Sequence, residues 1–259
     1  MRNGADIMEK SYPEIRAINR KLRFLAEPKD IKKSREILST KREVIGTPTK
    51  HLRSIGRELW HSFRLNTTKY FDLCLKLWEG SHEEQMVVVY SLFQAIKQEP
   101  KTVSFITNIL SPTISDWAVA DSLGKVVAEY FCTKSSNEIL DEMLSLYDNA
   151  SEMQKRMILS FLSNIVCCCN DYYIVNKILY FIEKQLPMEN CSVIIIKGIQ
   201  RILREMNKTI LAKSYASILY WINNGKINSQ GVLKGMIDNM PLNQKKELEM
   251  LLRKKKNEK

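Results

Sequence analysis

Apolar side chains recur at intervals of three and four residues along almost the whole chain, and this period constrains the fold more than any other feature. One such stripe contains Ile139, Leu140, Met143, Leu144 and Tyr147. This is the pattern of an amphipathic helix with one buried face. The nine glycines and seven prolines fall mostly between the periodic blocks, where helices begin and end. The sequence therefore predicts an all-α protein.

The number of helical blocks indicates how they are arranged. We count about thirteen or fourteen blocks with short connections, which fits paired helices stacked in repeats of roughly 40 residues. We predict a HEAT-like repeat α-solenoid, a single domain over residues 1–259 with a concave, partly basic groove. Residues 1–10 and 253–259 are expected to be frayed or disordered ends. No strict sequence repeat is visible, so an irregular helical bundle is the alternative.

Positive charge is concentrated at both ends of the chain. Residues 1–64 carry a net charge of +8 and residues 191–259 carry +9, whereas residues 65–190 carry −6. Two basic ends favour a polyanion such as nucleic acid as the partner. Solvated basic tails are the other interpretation, particularly for the final run Arg253-Lys254-Lys255-Lys256, because charge runs are common on exposed segments.

Nothing in the sequence indicates a membrane segment or a metal site. No run of about 18 apolar residues appears, and the first ten residues lack the apolar block of a signal peptide. The three histidines and six cysteines show no zinc-ligand spacing. We therefore predict reduced core cysteines, solvated or capping histidines, no metal and no cofactor. The expected location is cytoplasmic, associated with the nucleoid in a bacterium or nuclear in a eukaryote.

Two helix starts are predicted from capping residues. Ser81 is followed three residues later by Glu84, which is the pattern of a capping box. Gly46 belongs to a turn, and Thr47 is predicted to cap a helix whose first residue is Pro48.

Trp117 and Asp121 are four residues apart in the segment from Ser115 to Gly124. On a helix this spacing places both side chains on one face, one turn apart. An indole ring attracts a cation and a carboxylate neutralises it, so the pair could hold a positively charged ligand. The alternative is a core tryptophan beside a surface aspartate, which is the commoner arrangement for an isolated short motif.

Three segments of the chain carry a resemblance to a known family. They are GTPTKHLRSIGRELW at residues 46–60, WEGSHEEQM at residues 78–86, and Asp116-Trp117 followed by Asp121-Ser122-Leu123-Gly124. In this order they resemble the AlkD-like DNA alkylation-repair glycosylases, HEAT-like-repeat proteins that excise N3- and N7-alkylated purines. The resemblance extends from about residue 10 to residue 220.

The resemblance implies roles for individual residues. In the family a tryptophan and an aspartate face the lesion, which implies that Trp117 contacts the lesion and that Asp121 is the catalytic carboxylate. An arginine beside the lesioned backbone corresponds to Arg156, and its neighbour Lys155 is a further backbone-binding candidate. The residues alone also allow a solvated carboxylate or salt-bridge partner at Asp121, and an ion pair between Arg156 and Glu152.

The chain departs from the family at two positions. Arg201, in the segment KGIQRILRE at residues 197–205, stands where repair-active members carry a second tryptophan. An arginine could stack on a base or bind a phosphate, so Arg201 is a lesion-contacting candidate. It would repel a cationic methylated purine. The family's early tyrosine has no counterpart between Ile37 and Lys41.

The segment around Arg201 also carries a basic stripe. Its members share one helix face at spacings of 4, 3 and 4 residues: Lys197, Arg201, Arg204 and Lys208. Such a stripe can follow a phosphate backbone, although a solvated face of an amphipathic helix has the same composition. Arg53 and Arg57 share a face nearer the N-terminus and are candidates for the same role.

These observations lead to competing functions. The first is a monomeric DNA-repair protein that binds alkylated or distorted double-stranded DNA in a groove and hydrolyses the N-glycosidic bond of N3- and N7-alkylated purines. The alternative, motivated by Arg201, is a non-catalytic HEAT-repeat paralogue that binds DNA structures and has lost base excision. A third is a protein-interaction scaffold, whose affinity would depend little on salt, whereas DNA binding weakens steeply with salt.

Overall fold

The computed structural model describes residues 12–38, 40–134, 137–169, 171–186 and 191–257. Within those ranges the regular structure is helical and includes no strand, which confirms the all-α prediction. The chain divides into two units, Met1–Thr133 and Lys134–Lys259. A single repeat domain over residues 1–259, with a concave groove, stays a prediction. The expected frayed end at residues 1–10 lies outside the described residues.

The first unit is built from helices joined by short connections. They are α1 (Pro13–Phe24), α2 (Pro28–Leu38), α3 (Thr49–Phe63), α4 (Thr67–Trp78), α5 (His82–Ala95), α6 (Lys101–Ser104) and α7 (Trp117–Lys134). A π-helical segment (Phe105–Leu110) and a 3-10 turn (Ser111–Thr113) lie between α6 and α7. Helices α3 and α5 make the most extensive contact in the unit, and α4 contacts both.

A glycine allows α3 and α5 to approach closely. A Cβ atom added at Gly56 on α3 would lie 2.7 Å from the Cβ of Tyr90 and 2.8 Å from the carbonyl oxygen of Val87, both on α5. Distances below 3.0 Å to backbone atoms leave no room for a methyl group. The crossing therefore depends on the missing side chain, and it sets the position of Tyr90 relative to α3.

The two predicted helix starts have different outcomes. Ser81 and Glu84 form the predicted capping box at the start of α5. The prediction for Thr47 is wrong, because its hydroxyl donates to the Leu22 carbonyl oxygen at 2.9 Å and α3 begins one residue after Pro48, at Thr49. Thr47 is buried, so its hydroxyl must find a partner inside the unit.

The second unit is also helical in the part that the structure describes. Its helices are α8 (Asn137–Leu146), α9 (Glu152–Cys168), α10 (Tyr172–Lys184), α11 (Val193–Thr209), α12 (Leu211–Asn223), α13 (Gln230–Met236) and α14 (Leu242–Asn257). Helices α9 and α11 make the most extensive contact, with Gly198 of α11 against the side chain of Leu159. Helix α14 extends through residues 253–257, where the sequence predicts a frayed end.

The cysteines correct one prediction. Cys74 is a free, buried thiol whose pKa is raised by burial to about 12. Cys167, Cys169 and Cys191 are free but are exposed or partly exposed, whereas Cys132 and Cys168 are disulfide-bonded. The prediction of reduced thiols is therefore wrong for Cys132 and Cys168, and the prediction of burial is wrong for Cys132, Cys167 and Cys168, which are exposed. None of the helices in the described ranges combines the length and apolarity needed to cross a membrane.

Candidate functional site

The first turn of α7 is fixed by Asp116. One carboxylate oxygen of Asp116 accepts the backbone N–H groups of Ala118 and Val119, each at 3.0 Å. This is the contact of an N-capping residue, and it satisfies two of the donors that a helix start leaves unpaired. The cap orients the residues that follow it, beginning with Trp117.

A buried polar network surrounds this cap. The second oxygen of Asp116 contacts His82 Nδ1 at 2.9 Å and accepts a hydrogen bond from the Ser115 hydroxyl at 2.9 Å. The Ser115 hydroxyl oxygen also lies within hydrogen-bond distance of the side-chain carbonyl oxygen of Gln85, and its single proton can serve only one of the two acceptors at a time. The side-chain amide N–H of Gln85 in turn donates to the Trp78 carbonyl oxygen at 3.1 Å. His82 is only 8% exposed and Asp116 only 2%. The network links the WEGSHEEQM segment to the start of α7.

This network affects the acidity of Asp116. Burial alone would raise the pKa of the carboxyl, but the hydrogen bond and charge of His82, with the Val119 N–H and the Ser115 hydroxyl, outweigh it. The pKa of Asp116 is therefore lowered from its ordinary value. Asp116 is held as a carboxylate whose oxygens are occupied by structural contacts, so it is not the residue available for chemistry.

Trp117 and Asp121 follow the cap on α7, and both are partly exposed. The indole N–H of Trp117 donates to the carbonyl oxygen of Ile37 at 3.1 Å, near the end of α2. This hydrogen bond fixes the orientation of the ring. The i, i+4 spacing of Trp117 and Asp121 on a continuous helix places their side chains on one face, as the sequence predicts. Trp117 is not a fully buried core residue.

A cleft of about 770 Å³ adjoins this helix in the first unit. Three helices line it: α3 through Lys50, Arg53 and Arg57, α5 through Tyr90, Phe93 and Gln94, and α7 through Ser122, Lys125 and Glu129, with Lys97 just beyond α5. We call it the basic cleft, because five of the lining side chains are cationic and one is anionic. Asp121 directly precedes the cleft-lining Ser122 and is one helical turn from the cleft-lining Lys125.

Aromatic rings lie inside the basic cleft. The guanidinium of Arg53 stands over the ring of Tyr90, 5.6 Å from its centroid. The rings of Tyr90 and Phe93 have centroids 6.5 Å apart and planes inclined by 23°. Lys97 forms a 3.1 Å ion pair with Glu129, which is too exposed to contribute much stability. Cations beside aromatic rings suit contacts with both phosphates and bases.

The candidates on α9 lie in the second unit. Arg156 is partly exposed, and its guanidinium donates to the carbonyl oxygen of Ile194 at 3.4 Å. The ammonium of Lys155 lies 5.1 Å from the centroid of the buried Tyr147 ring. Arg156 therefore contacts a backbone carbonyl, whereas its neighbour Lys155 contacts an aromatic ring. Their binding of DNA stays a prediction.

The stripe on α11 is basic but partly paired with acids. Lys208 forms a 2.8 Å ion pair with Glu205, and Arg204 approaches Asp238 at 3.3 Å. Glu205 also lies in the field of Arg201. Burial alone would raise the pKa of Glu205, but the hydrogen bond from Lys208, with contributions from Cys167 and Arg201, lowers it. Lys197 is exposed.

The basic cleft contains residues that sequence reasoning missed. Lys50 continues the spacing of Arg53 and Arg57 and could have been found on that helix face. Lys97 and Lys125 lie in the segment whose summed charge is negative, and that sum concealed them.

His82 was predicted to be solvated or capping, which is wrong because it is buried against Asp116. Among the described side chains, no group of three or more His, Cys, Asp and Glu could hold a metal ion.

A comparison with known protein families gives a match. The DNA alkylation repair enzyme family matches residues 18–215, which include α7, α9 and nearly all of the helices around them. No curated protein and no solved structure matches the chain. The match covers well over half of the sequence and agrees with the segments singled out above. The chain belongs to the DNA alkylation repair enzyme family.

Proposed function

We propose that this protein is a monomeric DNA glycosylase that removes cationic N3- and N7-alkylated purines from double-stranded DNA. The observation that carries the proposal is the position of Trp117 and Asp121 on one face of α7, the helix whose next residues, Ser122 and Lys125, line the basic cleft. Family membership supports DNA alkylation repair as the process. An indole and a carboxylate beside cationic side chains suit a positively charged base in an anionic backbone.

The chemistry requires little from the protein. Alkylation gives the purine a positive charge and weakens its glycosidic bond. When that bond breaks, its electron pair goes to the purine, which leaves as a neutral base, and the sugar develops oxocarbenium character. The carboxylate of Asp121 would stabilise that charge and orient the water whose oxygen bonds to the sugar carbon, while the proton of the water passes to the carboxylate or to solvent.

Trp117 would hold the alkylated nucleotide against this carboxylate. Its ring is oriented by the hydrogen bond to Ile37, so little conformational entropy would be lost when a cation contacts the ring face. Asp116 and His82 support the arrangement by fixing the helix start beneath it.

The DNA backbone would be held by cations from both units. In the first unit Arg53 and Arg57 line the basic cleft together with Lys50. In the second unit, Arg156, Lys155 and the stripe of Lys197, Arg201, Arg204 and Lys208 are the proposed contacts. Phosphate contacts of this kind fix the register of the DNA without reading its sequence. A HEAT-like solenoid with a concave groove is the architecture that would align them.

Arg201 affects the rate of base release that we expect. Its positive charge disfavours a cationic base, but the nearby carboxylate of Glu205, which is ion-paired with Lys208, offsets part of that charge. We propose that Arg201 contacts the lesioned strand through a phosphate or by stacking on a base. The expected result is a glycosylase that is slower than one with tryptophan at this position.

The test is release of 7-methylguanine and 3-methyladenine from methylated duplex DNA, followed by chromatography and mass spectrometry. The wild type should release base, and Asp121→Asn should be slower by about 100- to 1,000-fold, as when one electrostatic contact to a developing charge is removed. Asp148→Asn makes the same change at an exposed aspartate of the second unit and is the matched control. Duplex binding without release of either base would favour a non-catalytic DNA-binding protein and reject the proposal.

A further inference from the structure

An aromatic pair lines the basic cleft. Tyr90 and Phe93 are on α5, which contacts α3 at Gly56. His82 at the start of α5 contacts Asp116, which caps α7, and Lys97 just beyond α5 pairs with Glu129 of α7. The cations of α3 and Lys125 of α7 line the same cleft as the two rings.

This arrangement does more than a phosphate site requires. Phosphate contacts need donors and positive charge, which the lysines and arginines supply. Half-buried aromatic rings beside them add no affinity for phosphate. They do offer flat apolar faces on which an unstacked base can lie, and stacking on an aromatic ring is worth about 1–3 kcal/mol per base. In an intact duplex the bases already stack on each other and cannot use such a surface.

The existing contacts of Tyr90 fit an exchange of partners. The Arg53 guanidinium stands over its ring at 5.6 Å, which is a weak contact at a partly exposed site. A base entering the cleft could take that position or stack beside it, while Arg53 turns to the phosphate of the same nucleotide. The cleft volume of about 770 Å³ is within the range of about 300–1,000 Å³ that suits small organic groups.

We propose that Tyr90 and Phe93 form a stacking platform for an unpaired nucleotide, so that the basic cleft prefers DNA with an extrahelical or single-stranded base over a perfectly paired duplex. The inference rests on the proposed function in one respect, which is that DNA is the ligand. It does not require base excision, because Tyr90 and Phe93 take no part in the step assigned to Asp121.

The direct test uses a fluorescent base in DNA bound to the wild-type protein. Two duplexes are compared, one with a single extrahelical 2-aminopurine and one with the same 2-aminopurine paired with thymine. Stacking on Tyr90 should quench the extrahelical base when the protein binds and leave the paired base almost unchanged. An equal response of both duplexes, or no response of either at saturating protein, would overturn the proposal.

Variants then identify the ring responsible. Tyr90→Leu should weaken binding of the bulged duplex by about 5- to 150-fold, the equivalent of one lost stacking contact, with little change for the paired duplex. Tyr90→Phe keeps the ring and should bind like the wild type. Tyr180→Leu removes an exposed tyrosine of α10 outside the cleft and is the matched control. An equal loss for both duplexes would contradict the proposal.

Two precautions keep the outcomes distinct. If Tyr90→Leu does not fold by circular dichroism, Phe93→Leu and the wild-type quenching decide the question. Base release is measured separately on the same preparations. Ring-dependent binding of bulged DNA without base release would support the platform and reject the glycosylase. Base release without ring-dependent binding would do the opposite, and absence of any DNA binding would reject both.

Discussion

Three residues within the first two turns of α7 and its cap differ in burial and in their contacts. Asp116 is buried and caps the helix, Trp117 is fixed by a hydrogen bond to α2, and Asp121 is partly exposed one turn later. The sequence predicts the spacing of Trp117 and Asp121, because that depends only on the helical period. It does not predict the network of Asp116 and His82, because these residues are 34 positions apart and meet only through tertiary packing.

The cap and its buried partner should contribute measurably to stability. Asp116→Ala removes a helix cap and leaves His82 without its partner, and we expect a loss of about 2–4 kcal/mol in the free energy of unfolding. Urea denaturation at neutral pH measures it. A change below about 0.5 kcal/mol, the level of an ordinary surface substitution, would contradict the assignment of the network.

The same carboxyl should show a defined pH dependence. Because the folded-state pKa of Asp116 is lowered, its contribution to stability is present above the unfolded-state pKa of about 3.9 and is lost as the pH falls through the folded value. The stability difference between wild type and Asp116→Asn should therefore be constant near neutral pH and shrink below about pH 4. A difference that grew on acidification would show the opposite sign of pKa shift.

Arg201 provides a test of charge at the proposed lesion site. Arg201→Trp removes a cation and supplies an aromatic face, so release of 7-methylguanine should become faster by about 5- to 30-fold, the equivalent of roughly 1–2 kcal/mol from one cation–π contact. Arg201→Gln removes the charge without the ring and should give a smaller increase. A slower Arg201→Trp enzyme that still binds duplex DNA would show that the arginine itself is required.

At the scale of helices, the most extensive helix contact in each unit has a glycine at the crossing. Gly56 serves α3 and α5, and Gly198 serves α9 and α11. The sequence shows both glycines inside helical patterns, where they cost stability, but not which helices they bring together.

The start of α3 is a second feature that the sequence does not predict correctly. The buried carboxylate of Glu83 accepts the backbone N–H groups of Ile45 and Gly46, and Thr47 turns inward instead of capping the helix.

Substitution by alanine should have opposite effects on stability at Gly56, which lies at the crossing of α3 and α5, and at Gly231, which lies on α13. Gly56→Ala places a methyl group against backbone atoms of α5 and should destabilise the protein by about 1–3 kcal/mol. Gly231 on α13 has no atom closer than 3.8 Å to an added Cβ, so Gly231→Ala should stabilise by about 0.4–1 kcal/mol. Thermal unfolding of both variants measures the difference. Equal effects would show that the close approach at Gly56 does not limit packing.

For the whole molecule, the charge distribution along the sequence indicates an anionic partner but not where it binds. Summed charge assigns positive character to the two ends, yet the basic cleft combines end residues such as Arg57 with Lys97 and Lys125 from the acidic middle. Folding selects individual charges for a surface irrespective of the net charge of their segment. The all-α class and the place of Trp117 and Asp121 on one helix could therefore be predicted from sequence, whereas the composition of the cleft could not.

The role of the cleft can be measured by salt dependence. The logarithm of DNA affinity should fall linearly with the logarithm of salt concentration, and Arg57→Gln or Lys125→Gln should each reduce the slope by about 0.9, the contribution of one phosphate contact. Lys234→Gln removes an exposed lysine of α13 and should leave the slope unchanged. Affinity that hardly depended on salt would indicate a protein partner instead of DNA.

The central claim is that Asp121 promotes cleavage of the glycosidic bond of an alkylated purine. The most direct measurement is the single-turnover rate of 7-methylguanine release, with enzyme in excess over a duplex that carries one lesion. We predict a rate well above spontaneous depurination for the wild type, and a rate reduced by about 100-fold or more for Asp121→Asn at unchanged DNA affinity. Identical rates for the two proteins, or a wild-type rate equal to spontaneous loss, would contradict the claim.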